Sequence, residues 1–211
     1  MNNASALLFF DIETTARKDA GDLIQVKSPS NYKDPDKIAA YVAEKKAEQL
    51  ALAALDPDLA VVRAIAWRHG VESWTTTQLA NTIQEEAAAI CAFWEAFAAT
   101  NGRCCGYNVI AFDLPFLMRR SMELKIPLPL IPNLARYRSE PVVDLFCLLY
   151  NWNPGKGLKW VVKRYGLDNP LPELNGAGVA EMDDETVRRY VANDVYLVAQ
   201  LYQRMAGVYF R

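Results

Sequence analysis

Residues 6–16 read ALLFFDIETTA. Leu7 to Phe10 form an unbroken apolar run, the pattern of a strand covered on both faces. The run ends in Asp11, Ile12 and Glu13. Side chains alternate along a strand, so Asp11 and Glu13 share one face and Ile12 takes the other. Two carboxylates at neighbouring positions on the rim of an apolar core repel each other, and burial without a partner is costly. Solvent, a basic group or a cation can relieve the repulsion. The first basic residue of the chain is Arg17, so a local basic partner is lacking. On its own the pair is equally compatible with a strand running out into water.

The rest of the chain narrows the choices. It has 211 residues, 52% of them hydrophobic and 23% charged, which suits one large globular domain with a substantial core. The expectation is a single domain over 1–211. A net charge of −2 gives no global basic signature, so any polyanion must be met by local basic patches or by metal ions. Four cysteines without a C-x-x-C pair, and His69 as the only histidine, exclude an ordinary Cys/His zinc site and fit a reducing, cytoplasmic setting. The N-terminus lacks the basic flank of a leader peptide. The apolar stretch 87–100 is broken by Glu95 and reads as a core-facing helix, so no membrane association is expected.

Periodicity and turn chemistry predict an α/β chain. A helical insertion is expected over 20–56, with its main helix at 36–55 capped by Asp34 or Asp36. A strand at 61–67 is expected to pair with 71–76 through a turn at His69-Gly70, followed by a long helix within 78–100. A short strand at 103–107 leads to a helix at 113–124 with Pro115 in its first turn. A strand at 141–145, a short helix at 158–165 and a final helix from Asp184 to about 206 complete the reading.

Two further acids are out of place. Asp113 lies in GYNVIAFDLPFL (106–117), between Phe112 and Leu114 at a strand-to-helix junction, where an aspartate ordinarily caps the helix. Asn108 can hold the preceding turn. Asp194 lies four residues after Tyr190 in the final helix, on the face that carries Val187, Val191 and Leu197. An aspartate on a core-facing stripe is anomalous. If Asp11, Glu13, Asp113 and Asp194 converge, their repulsion calls for cations. Divalent Mg²⁺ or Mn²⁺ prefer such oxygen ligands, and metal pairs are the common device for in-line displacement at phosphorus.

D-x-E at Asp11 and Glu13, N-x-x-x-F-D at Asn108, Phe112 and Asp113, and Y-x-x-x-D at Tyr190 and Asp194 together resemble the DEDD 3′→5′ exonucleases. The wording FDIET and GYNVIAFDLPFL is closest to the proofreading domain of family-B DNA polymerases. Tyrosine four before the last aspartate, with Arg189 where the other subclass has histidine, resembles the tyrosine (DEDDy) branch. The resemblance spans 11–194 and implies a ribonuclease-H-like fold: a mixed sheet of about five strands with helices on both faces. It implies a stand-alone exonuclease of the phage or bacterial kind that uses two divalent ions to release nucleoside 5′-monophosphates from single-stranded DNA. Asp11, Glu13 and Asp194 would hold one ion, with Asp11 bridging to a second that Asp113 helps hold. Tyr190 would orient the attacking water. Backbone at Thr14 and Thr15 would approach the terminal nucleotide, as would Asn108, while Phe112 stands beside a base or in the core. The same site on RNA is the alternative, as is a non-cutting module that docks on nucleic acid or on a polymerase. A DNA polymerase or another replication or repair protein is the expected type of partner. Basic residues at Arg119-Arg120, Arg136, Arg138, Lys156, Lys159, Lys163 and Arg164, interleaved with Trp152 and Trp160, fit a groove for single strands. Asp144 in PVVDL is read as structural.

Overall fold

A computed structural model describes residues 7–209. Residues 1–6, on which the reading of an absent leader falls, and 210–211 lie outside the described part. The chain divides into two compact units, one made of 1–13 and 62–211 and the other of 14–61.

The larger unit is built on five strands in the order β3-β2-β1-β4-β5. These are β1 (Leu8–Ala16), β2 (Ala60–His69), β3 (Thr76–Leu79), β4 (Cys104–Gly106) and β5 (Val142–Asp144). β1 pairs with β4 in parallel, as Leu8↔Cys104, and β4 with β5, as Cys105↔Val143. β2 and β3 are antiparallel, with Ala64 opposite Leu79 and Trp67 opposite Thr76. The sheet is therefore mixed. The turn after β4 folds back so closely that position 106 requires a glycine. A Cβ there would stand 2.1 Å from Val109 Cγ1 and 3.2 Å from the Phe10 carbonyl oxygen.

Helices cover both faces. α7 (Asp184–Tyr209) lies on one, with α6 (Leu158–Arg164), and the core there joins Leu7, Phe9 and Cys105 of the sheet to Val187, Val191 and Val198 of α7. On the other, Phe10 and Trp67 meet Phe93 of α3 (Ile83–Ala99) at ring-centroid distances of 4.9 and 6.3 Å. Leu7 and Phe9 thus face α7 while Phe10 faces α3, which is the alternation expected of β1. α3 starts at a full capping box: Thr82 accepts from the Glu85 N–H, and Glu85 accepts from the Thr82 N–H. α4 (Asp113–Leu124) packs on α3, where Trp94 Nε1 donates to Ser121 Oγ at 2.8 Å.

Three expectations change. The strand foreseen at 71–76 begins only at Thr76, because a longer turn intervenes in which Ser73 Oγ donates to the His69 carbonyl. A six-residue helix, α5 (Leu145–Tyr150), follows β5 unforeseen, since LFCLLY is too short and too uniformly apolar to show a period. Arg120 is not part of a basic groove. It is buried, with Nε and Nη2 each 2.7 Å from a carboxylate oxygen of Glu86 on α3, and Nη1 donates to Glu123.

The smaller unit, 14–61, carries α1 (Ala20–Leu23), α2 (Pro35–Ala51) and a 3-10 turn at Ala53–Leu55. Asp34, the N-cap, accepts from the Asp36 N–H at 3.0 Å, with Pro35 at the first helical position. Ala20, Ile24, Ala53 and Leu59 form a small core, and the Arg17 N–H donates to the Leu59 carbonyl at 2.9 Å. No residue of α2 is buried.

Candidate active site

Strand β1 sets the site. Leu7, just before it, and Phe9 face α7, and two and four positions beyond Phe9 stand Asp11 and Glu13. Phe9 meets Tyr202 of α7 edge-on at 5.3 Å. From Phe9 to Glu13 the strand advances about 13 Å. From Tyr202 back to Asp194 the helix retreats about 12 Å. The two elements run in opposite senses over nearly the same distance, which carries Asp194 to the two strand acids. One carboxylate oxygen from each of Asp11, Glu13 and Asp194 lies within 4.8 Å of the others.

The Phe112 residue, not Asp113, occupies the N-cap position of α4, and its side chain makes no capping hydrogen bond. Asp113 is the first helical residue and is buried. Its Oδ1 accepts the N–H of Ile12, the residue between the two strand acids, at 3.3 Å. Asp113 therefore abuts the trio without belonging to it. The turn that delivers it is held by Asp144, whose two oxygens accept the Asn108 and Ile110 N–H groups at 2.9 Å each. Oδ1 also accepts the Phe146 and Cys147 N–H groups at the start of α5. Asn108 adopts φ 69°, and its carbonyl accepts from Phe112 at 3.0 Å. The Phe112 ring packs 5.6 Å from that of Phe116 and stays half-buried. Thr14 and Thr15 continue β1 into the smaller unit, where Thr14 Oγ1 donates to the Ala54 carbonyl at 2.6 Å.

Two contributors escape a reading by motif. Lys159 of α6 places Nζ 3.7 Å from Asp194 Oδ1 and 4.0 Å from the centre of the Tyr190 ring. The same Nζ donates to the Leu174 carbonyl at 2.5 Å. Two residues on, a Cβ at Gly176 would stand 3.3 Å from Tyr190 Oη and 3.7 Å from Glu13 Oε2. The bare backbone of 176 thus forms one wall of the site. The signals were K-W-V-V and L-N-G-A-G, neither distinctive without the fold.

Burial pushes the carboxyls of Asp11 and Glu13 well above the ordinary range, and the neighbouring acids add to it. Burial also raises Asp194, against the opposing pull of Lys159. Asp113 is raised to about 7, chiefly by burial. Tyr190 is held far above the usual phenol value, by burial and then by Asp194 and Glu13, so it stays neutral. Asp194 Oδ1 is buried and accepts no hydrogen bond among the described residues. A buried oxygen that accepts no hydrogen bond and has Lys159 only at ion-pair distance, within an all-carboxylate trio, suits a hard divalent cation, and the group could hold a metal ion.

A stability prediction follows from these shifts. Each raised carboxyl binds its proton more tightly folded than unfolded. Its contribution is therefore complete below the unfolded value near 4 and is lost as pH rises, through about 7 for Asp113. Thermal unfolding in chelator should show a melting temperature that falls by several degrees from pH 5 to pH 8. Mg²⁺ or Mn²⁺ should restore more of it at pH 8 than at pH 5. A melting temperature that rises across this interval in chelator would contradict the assignment.

Five strands in a mixed sheet with helices on both faces, β1 central, make this an α/β fold compatible with the ribonuclease-H-like architecture. Among solved structures, the chain is similar to the family B DNA polymerase from the hyperthermophilic archaeon Pyrobaculum calidifontis, with TM-score 0.62 and 20% identity over 94% of this chain. The chain spans 24% of that polymerase's length. No protein-family profile matches the chain, and no curated protein sequence does either. No helix among the described residues is long and apolar enough to cross a membrane.

Proposed function

We propose that this chain is a metal-dependent 3′→5′ exonuclease that removes nucleoside 5′-monophosphates from single-stranded DNA ends. The observation that carries the reading is the convergence of Asp11, Glu13 and Asp194, one of whose oxygens is buried without a hydrogen bond, next to a neutral tyrosine. The shared fold with a family B DNA polymerase supports it.

Asp11, Glu13 and Asp194 would hold one Mg²⁺ or Mn²⁺, and Asp11 with Asp113 a second. When bound, such ions activate water and spread the charge of a phosphoryl transition state. The chain's own residues do the rest. Tyr190 is neutral and beside Asp194 and Glu13, so its hydroxyl orients a water by hydrogen bonding and does not serve as a base. Gly176 leaves that hydroxyl room. Lys159 is a positioning residue. It lies over the Tyr190 ring, near Asp194, and anchors the segment leading to Gly176. Asp144 shapes the turn from which Asp113 and Asn108 face the terminal nucleotide.

The test is a single strand labelled at its 3′ end, with DNA and RNA run in parallel. Labelled mononucleotide should appear at once with Mg²⁺ or Mn²⁺, faster from DNA. No release with either ion, or internal cuts only, removes the proposal. Lys159→Met should lower turnover by about 10–100-fold, as loss of a residue behind metal ligands does. Its pH–rate profile should move to higher pH on the acid side, because Asp194 loses the cation that favours its ionised form. Lys159→Arg should recover part of both. A turnover loss with an unmoved profile would mean Lys159 acts through packing alone.

A further inference from the structure

A second cluster lies on the segments flanking β5. Arg136 places its guanidinium carbon 5.7 Å from the centre of the Tyr137 ring and 5.5 Å from that of Trp152. The two rings are 5.6 Å apart at 67°. Tyr137 and Trp152 adopt φ of 62° and 64°, and Asn151 of 47°. Bulky aromatic residues seldom occupy left-handed backbone. Two of them in contact are held there at some cost. Tyr137 is 74% exposed, so the ring is not presented for the sake of the core.

The cluster borders a cavity of about 270 Å³ lined by Tyr137, Arg138, Asp144, Cys147, Asn151 and Trp152. The Asp144 carboxylate is buried and engaged by four backbone N–H groups, so an anion at this face would be met by Arg136 and Arg138 and not by Asp144. Through Asn108 and Ile110 that same carboxylate shapes the turn leading to Asp113. The cavity is therefore linked to Asp113 through Asp144 and the 108–110 turn.

We infer that Tyr137, Trp152 and Arg136 form a stacking platform for bases of single-stranded nucleic acid, with Arg138 supplying a phosphate contact, and that it holds the strand upstream of the 3′ terminus. The upstream placement rests on the exonuclease reading. Aromatic faces beside a guanidinium are what unpaired bases and their phosphates bind, without regard to base identity. A chain of net charge −2 needs such a local device to grip a polyanion.

The experiment is fluorescence anisotropy of a labelled oligothymidylate in chelator, where no cleavage intervenes. Tyr137→Asn and Trp152→Asn remove the rings yet suit positive φ, since asparagine tolerates that backbone. Together they should weaken binding about tenfold or more. The pair of phenylalanine substitutions should keep most of the affinity. Arg138→Gln should flatten the salt dependence by about 0.7 in the logarithmic slope. Unchanged affinity in the asparagine pair overturns the platform and leaves this face to a protein partner. The two readings separate cleanly. If wild type releases mononucleotide while the asparagine pair binds like wild type, the nuclease stands and the platform falls. If wild type cuts nothing while the pair loses affinity, the platform stands and the nuclease falls.

Discussion

Asp11→Asn should lower mononucleotide release by about 10³-fold or more and, at the same time, raise the melting temperature of the metal-free protein at pH 8. The first effect is of the size seen when a group that stabilises transition-state charge is removed. The second comes from relief of repulsion. Asp11 is raised by burial and by Asp113, Glu13 and Asp194 together, so at pH 8, where the unfolded carboxyl is ionised, burying it opposes folding. The near-isosteric amide keeps the shape and removes the charge. Loss of activity joined to a gain in stability marks a site held against its own interest. A structural acid would show the reverse, losing stability when neutralised. Paired melting curves and single-strand digestion decide between them. Unaltered release would end the nuclease assignment.

The largest loss of stability is expected from Glu86→Ala. Glu86 and Arg120 are both buried, joined by two 2.7 Å hydrogen bonds. Glu86 Oε1 also accepts the Val62 N–H at 2.8 Å. Truncation leaves the buried guanidinium with two of its donors unpaired and only Glu123 beside it, and orphans a strand N–H. Breaking a buried pair on one side costs about 3–5 kcal/mol. At about 2–4 °C per kcal/mol for a domain of this size, the melting temperature should fall by about 10 °C. Arg120→Met in the Glu86→Leu background should recover part of it, because two apolar side chains leave no buried charge unpaired, although the Val62 N–H stays without its acceptor. Calorimetry of the three proteins checks both statements. A drop of under about 1 kcal/mol for Glu86→Ala would mean water reaches Arg120.

How far the sequence could be read depended on the range of the interaction. Asp11 and Glu13 were legible because strand alternation is local, and β1 does place them on the face of Leu7 and Phe9. Asp194 was legible as an acid on an apolar stripe. The α4 boundaries, 113–124, followed from Pro115 and the flanking turn, although Phe112 rather than Asp113 proved to be the cap. What failed was long-range or short-lived in sequence. Arg120 looked like half of a surface pair because its partner lies 34 residues away on another helix. Lys159 looked like one lysine among several, since nothing local says that α6 leans over Tyr190. Gly176 carries no side chain to notice. β3 moved because turn length depends on hydrogen bonds made by Ser73, not on residue preference alone.

The opposed run of β1 and α7 has a consequence for how this chain tolerates length change. The segment from Asp194 to Tyr202 acts as a gauge block whose far end is clamped by Phe9. One residue added or removed inside it turns Asp194 by about 100° and shifts it about 1.5 Å, off the carboxylate face. Beyond Met205 the helix has no such duty, and there insertions should be silent.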